Sequence, residues 1–169
     1  ARPMTYAEAV ARILALRGGE RAGMRPGLER IEAVLDAIGR PEQAFTIAQV
    51  GGTNGKGSIS AMLAAVLQAA GRRVGLYTSP HLAHYRERIR VDGVEVDDAT
   101  LVEAFERIAS ARAPRPESTG PEDAKVPLTY FEFGTLAALL VFEQSKLDIA
   151  ILEVGLGGKL DAVNIVDPD

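Results

Sequence analysis

The stretch Val50-Gly51-Gly52-Thr53-Asn54-Gly55-Lys56-Gly57-Ser58 places glycines, one lysine and hydroxyls where a strand would hand over to a helix. Before it stands a β-like apolar run, Phe45 to Val50. After it, apolar residues fall at Ile59, Met62, Leu63, Val66, Leu67 and Ala70, the spacing of a helix laid on a sheet. A glycine-rich turn at such a junction is suited to phosphate. Its backbone comes close to an anion, the unpaired N–H groups of the helix start point at it, and the helix dipole favours negative charge. Lys56 is the candidate catalytic charge for the outer phosphates, and the Ser58 hydroxyl can bind phosphate or its magnesium. Gly52, Thr53, Asn54, Gly55 and Gly57 complete the cradle. The strict G-x-x-x-x-G-K-[ST] pattern fails twice: Val50 stands at its first glycine, and Gly57 follows the lysine. The competing reading is an ordinary glycine-rich turn. The strand–loop–helix context and the lysine favour phosphate.

Two further stretches belong at the same end of such a sheet. Val74 to Tyr77 reads as a second short strand after Gly71, giving a βαβ unit whose strands form a parallel pair with a right-handed crossover. Ligands of open α/β sheets sit beyond the carboxyl ends of strands, which is where Thr78-Ser79-Pro80-His81-Leu82 falls. Ser79 is either a metal ligand or a turn residue before proline. Ile149 to Leu152 reads as a buried central strand, with Glu153 at its exit. A buried carboxylate is costly unless paired or bound to a cation, and a carboxylate beside a phosphate loop is a usual magnesium holder. The glycines that follow leave room for a ligand. His81 and His84 have no cysteine or metal-spaced partner, which argues against zinc.

The remaining elements position these three stretches. Thr5 and Glu8 form a capping-box pattern ahead of Val10, Ile13 and Leu14, with Gly18 and Gly19 as the stop. A second helix follows Arg25-Pro26, with Leu28, Ile31, Val34, Leu35 and Ile38 inward and Gly39 and Pro41 as its stop. Arg86 to Val96 reads as a hairpin turning at Asp92-Gly93. Arg88 and Arg90 there share a face, which is either a solvated edge or a surface for an anionic substrate. Asp98 caps a helix with Leu101, Val102, Phe105, Ile108 and Ala109 inward. Ala113 to Pro127 reads as a mobile surface loop. Thr129 and Glu132 form a second capping-box pattern, opening a helix apolar nearly all round, as for one buried on a sheet.

The 169 residues, 47% hydrophobic and 25% charged, fit one α/β domain. A net charge of −4 argues against a general nucleic-acid surface. The absence of cysteine excludes disulfides and thiolate sites. No apolar run approaches the roughly 20 residues that span a bilayer. No signal-peptide pattern is visible, so the cytoplasm is the expected location. The sequence breaks off after Asp161 to Asp169 with no closing element, which reads as a fragment of a longer protein.

Gly52 to Ser58 resembles the nucleotide loop of the folylpolyglutamate synthase/dihydrofolate synthase family, within the Mur ligase group. The peptidoglycan ligases of that group usually carry Ser or Thr where Gly57 stands. Thr78 to Leu82 resembles the family's second signature, at the family's spacing. Glu153 to Asn164 resembles its third, departing at Lys159, where arginine is usual, and at Val163, where threonine is usual. Lys159 keeps the charge but loses the bidentate fork. Arg25 to Arg30 resembles the family's approach to its loop, Arg86 to Val96 its stretch after the substrate loop, and Phe131-Glu132 a family pair near the substrate site, although capping alone accounts for Glu132.

The resemblance implies a Mur-ligase-like central ATP-binding domain, truncated, with a P-loop-type, mostly parallel sheet flanked by helices. It implies an N-terminal ATP-binding domain over residues 1–169. The family's protein continues with a histidine metal ligand, a carbamylated lysine and a smaller C-terminal domain. The implied activity is ATP-dependent addition of L-glutamate to dihydropteroate or folates through an acyl phosphate. Ser79 and Glu153 would hold Mg²⁺. Pro80 and His81 would line the pterin pocket, and Asp161 and Ala162 the acceptor site, with Asn164 nearby. Its partners would be small molecules only, and the protein a monomer. The alternatives are another Mur-type amide ligase, or a nucleotide-binding module inactive without its missing domain.

Overall fold

Three apolar strands run parallel through the middle of the molecule: β1 (Thr46–Val50), β5 (Ile149–Glu153) and β2 (Val74–Tyr77). Two short strands, β3 (Ile89–Val91) and β4 (Val94–Glu95), continue the sheet antiparallel, giving the order β1-β5-β2-β3-β4. The computed structural model describes residues 2–16, 28–112, 126–155 and 161–168. The α/β architecture with a mostly parallel sheet flanked by helices agrees with the sequence. One expectation is corrected: β1 and β2 are parallel but not neighbours, because β5 lies between them. The apolar run of β5 can be covered on both sides only at the centre of the sheet.

Among the described residues the α-helices are α1 (Tyr6–Ala15), α2 (Glu29–Ala37), α3 (Lys56–Ala69), α4 (Asp98–Ala111) and α5 (Tyr130–Gln144). The two faces of the sheet are served unequally. Ile47, Tyr77, Ala150 and Leu152 point into the main core with α5, and α1, α2 and α4 join that core. Val50, Val74 and Ile151 point the other way, toward α3. This alternation is the period-two rule of a strand. From Leu136 to Phe142, α5 is buried without a break, as its all-round apolar sequence requires.

Helix α3 departs from its expected stripe. Ser60 and Ala64 are its buried residues, Leu63 and Leu67 are half-buried, and Ile59, Met62 and Val66 are exposed. Small side chains let the helix lie close to the sheet, and the bulkier residues are turned outward. In α1, Ala9 and Ile13 are buried while Leu14 is exposed. In α4, Ala104 takes the inward place expected for Ala109, and Asp97, not Asp98, is the N-cap, accepting from Thr100 N at 2.8 Å. The stripe of α2 is borne out by Ile31, Val34, Leu35 and Ile38. The stops at Gly18 and Gly19, the start at Arg25-Pro26, and most of the loop read from Ala113 to Pro127 lie outside the described residues.

Both capping boxes form. Thr5 Oγ1 accepts from Glu8 N while Glu8 accepts from Thr5 N. Thr129 and Glu132 repeat the exchange at the start of α5. The turn Asp92-Gly93 has positive φ at both residues, 49° and 82°, the requirement of a tight two-residue hairpin. The hairpin is shorter than expected, because Tyr85–Arg88 form a 3₁₀ turn before it. Arg88 and Arg90 therefore share no solvated face. Arg88 is 1% exposed, and Arg90 pairs with Glu95 across the hairpin at 3.3 Å.

Candidate active site

The register of the parallel strands brings three loops to one edge. Val50 stands opposite Glu153, and Tyr77 opposite Leu152. The glycine-rich loop after β1 and the Thr78–Leu82 segment after β2 thus flank the exit of β5, where Glu153 sits. This is the carboxyl edge that open α/β sheets present to ligands.

The loop has the backbone that an anion cradle needs. Gly52 has φ 149° and Gly55, at the N-cap of α3, has φ 77°, both conformations that L side chains rarely adopt. Thr53, Asn54, Gly57 and Ser58 are exposed around it, so the first turn of α3 offers its N–H groups to solvent. Lys56 is half-buried and folds back over the loop, its Nζ donating to Gly52 O at 2.7 Å.

Glu153 is 6% exposed. Burial pushes its carboxyl above the ordinary glutamate range, while a hydrogen bond from the Ser79 backbone N–H and the charge of Lys56 pull it back. The first turn of α3 lies over it, since a Cβ on Gly57 would stand 3.9 Å from Glu153 Oε2. A carboxylate so placed is in want of a cation, and a divalent ion fits that want. Around Gly155 a second convergence occurs. A Cβ there would meet Ser79 Oγ at 3.2 Å, Asp161 Oδ2 at 3.3 Å and Phe131 Cε1 at 3.8 Å. Asp161 Oδ1 accepts from Val163 N at 2.9 Å, capping the 3₁₀ turn Ala162–Ile165.

Of the residues expected at the site, Lys56, Ser79, Glu153 and Asp161 stand around the ends of β1, β2 and β5. Pro80 is exposed, following a cis Ser79–Pro80 bond, and His81 is half-buried. Ala162 is buried in the main core and Asn164 is half-buried. Lys159 and the glycines at 157 and 158 lie outside the described residues. Sequence reasoning matched Phe131-Glu132 to a family pair near the substrate site and preferred capping for Glu132, without giving Phe131 a role of its own. Its position beside Gly155 and Arg88 adds an apolar wall there. Its neighbour Glu132 caps α5 and also pairs with Arg30 at 3.1 Å, across 102 residues of sequence.

The segment after His81 is held by Glu87. Its carboxylate accepts from Leu82 N, Ala83 N and His84 N at 2.8, 2.7 and 2.6 Å, and these bonds lower its pKa to about 2. A depressed carboxylate contributes stability above its unfolded value, 4.5, and loses it as pH falls toward about 2. Glu87→Gln should speed amide hydrogen exchange at Leu82, Ala83 and His84 several-fold at neutral pH. Unchanged exchange would show that the segment is held elsewhere.

A glycine-bearing strand–helix loop with its lysine, beside a carboxylate at the neighbouring strand's exit, defines an α/β domain of the P-loop type. No family model matches the chain. It is 48% identical over 143 residues to the dihydrofolate synthase/folylpolyglutamate synthase of Escherichia coli (strain K12), covering 85% of this chain and 31% of that one. The solved structure of E. coli FolC in complex with DHPP and ADP superposes with a TM-score of 0.81 at 42% identity, over 98% of this chain and 37% of that one. The bifunctional enzyme of Yersinia pestis, complexed with AMPPNP and Mn ion, gives 0.83 at 42% identity, over 99% of this chain and 38% of that one. The chain belongs to the folylpolyglutamate synthase/dihydrofolate synthase family. It spans about a third of the length of these relatives.

Proposed function

We propose that this chain is the N-terminal ATP-binding part of a ligase that adds L-glutamate to dihydropteroate, to folates, or to both, at the expense of ATP. The observation that carries this reading is the placing of buried Glu153 between the Lys56 loop and Ser79. Family membership and the ADP, AMPPNP and Mn named for its relatives support it.

In this proposal the N–H groups of residues 52–58 and the Lys56 ammonium hold the β- and γ-phosphates of ATP. Ser79 Oγ and the Glu153 carboxylate hold a divalent ion. That ion, when bound, supplies positive charge to the triphosphate. Asp161, Ala162, Pro80 and His81 border the substrate, with Phe131 as an apolar wall. The substrate carboxylate attacks the γ-phosphorus and ADP leaves, giving an acyl phosphate. The glutamate amine then attacks the acyl carbon and phosphate leaves. The chain's own contribution is positional and electrostatic. By itself it does not turn over, because it spans about a third of its relatives. The protein works in the cytoplasm as a monomer. Among the described residues, no helix is long and apolar enough to cross a membrane.

ADP release by the full-length protein, with dihydropteroate or folate plus glutamate, tests this reading. Release only with a muramyl acceptor would reassign it to another Mur-type ligase.

Glu153→Gln separates metal binding from folding. The raised carboxyl means that folding disfavours its ionised form, so its contribution to stability falls as pH rises from 4.5 through the folded value. In metal-free buffer at neutral pH the variant should therefore melt at or above the wild-type temperature. It should also lose the stabilisation that ATP–Mg²⁺ confers, about 2.7 kcal/mol at a hundred times Kd. An undiminished ATP–Mg²⁺ shift in the variant would remove Glu153 from the metal site.

A further inference from the structure

Gln49 breaks the apolar pattern of β1. Ile47 points into the main core, and Gln49, the next residue but one, takes the same face. Packing alone would favour an aliphatic side chain there. The half-buried carboxamide is instead hydrogen-bonded: Nε2 donates to Val163 O and to Val166 O, at 3.0 Å each. A carboxamide nitrogen carries two hydrogens, and each finds a carbonyl. Both partners are acceptors, which fixes the nitrogen, not the oxygen, on that side.

These carbonyls belong to the turn that follows Asp161. It is a single 3₁₀ turn, Ala162–Ile165, with Val166 as its C-cap. Its closing bond is long, Val166 N to Val163 O at 3.5 Å, and 3₁₀ bonding holds such short pieces poorly. At its head, Asp161 Oδ1 accepts from Val163 N at 2.9 Å and Asp161 O from Asn164 N at 3.0 Å. Asp161 is thus tied to Val163, and Gln49 ties Val163 and Val166 to the sheet, across 114 and 117 residues of sequence. The second carboxylate oxygen of Asp161 lies beside Ser79 Oγ and Phe131 around Gly155.

We propose that Gln49 is a positioning residue: its carboxamide pins the turn after Asp161 to β1, and so sets Asp161 and Ala162 against the pteroate or folate substrate. The substrate half of this inference rests on the function proposed above. β1 runs directly into the glycine-rich loop. One strand therefore carries the nucleotide loop on its main chain and the substrate turn on a side chain. The two attachments are separable. A distorted strand moves the loop and weakens ATP, whereas a lost clamp frees the turn and weakens the pteroate or folate.

Q49M in the full-length protein keeps the length of the side chain and removes both donors; Q49L does the same where Q49M does not fold. Amide hydrogen exchange at Val163, Asn164 and Val166 should quicken several-fold, with β1 and β5 protected as in wild type. KM for the pteroate or folate should rise about tenfold, while KM for ATP stays within about twofold. D161N keeps the oxygen that caps Val163 N and loses the charge, and it should raise the same KM. Because Gln49 acts through this turn, adding Q49M to D161N should change KM less than about threefold further. Unchanged exchange at the three amides overturns the clamp whatever the kinetics. A KM for ATP that rises as much as that for the pteroate or folate overturns the proposal, as does a fully additive double mutant, or a KM raised by D161N and unmoved by Q49M. Quickened exchange with KM unchanged in D161N overturns instead the placing of Asp161 at the substrate.

Discussion

Replacing Lys56 by alanine in the full-length protein should cut glutamate ligation by about a thousandfold, with melting temperature close to wild type. Removing one preorganised donor from a developing transition-state charge costs about 10²–10³ in turnover, some 2.7–4 kcal/mol. Lys56 stands at the head of α3 in a loop whose remaining side chains, Thr53, Asn54 and Ser58, carry no charge. No other cation in the loop can take over its task. The structural loss is small by comparison. In this structure the Nζ bonds to Gly52 O, and Gly52 is exposed, so water can replace the lost donor. Single-turnover formation of ADP and product, beside a thermal melt, separates the two effects. A folded Lys56→Ala protein that ligates at a near-normal rate would remove the lysine from the mechanism.

Gly75→Ala should lower stability by about 1–3 kcal/mol, the range for overfilling a packed interior. Elsewhere in a strand the exchange would help, since alanine restricts the unfolded chain by about 0.4–1 kcal/mol. Gly75 sits at the centre of β2, paired with Ala150 on one side and Val91 on the other. A Cβ there would fall 2.7 and 2.8 Å from two ring carbons of Phe142 and against Leu147 Cδ1. Phe142 is wholly buried, and its ring cannot turn aside without opening a gap in the core. The clash therefore outweighs the entropy gain. The consequence reaches the site, because β2 runs directly into Ser79. Thermal unfolding checks it, each kcal/mol moving the midpoint by ~2–4 °C. A variant that melts at or above the wild-type temperature would show that α5 shifts freely over the sheet.

What the amino-acid order settled by itself is local. The glycine-rich loop, the two capping boxes, the Asp92-Gly93 turn and the run Ile149 to Leu152 are each dictated within a few residues, by backbone freedom, side-chain reach or unbroken apolarity. The three ordered motifs also sufficed for the family. Tertiary structure alone decided what depends on partners far away in sequence. The place of β5 between β1 and β2 follows from covering both its faces. The face that α3 buries was chosen by closeness to the sheet, which admits Ser60 and Ala64 and excludes Ile59, Met62 and Val66. Arg88 looked like an edge residue because alternation along a short hairpin is blind to α5, whose Tyr130 and Phe131 close over it. Ser79, Asp161 and Phe131 come from three separate segments and meet at Gly155 only after the sheet has formed. Short-range rules write the pieces of this site; packing across distant segments decides which of those pieces touch.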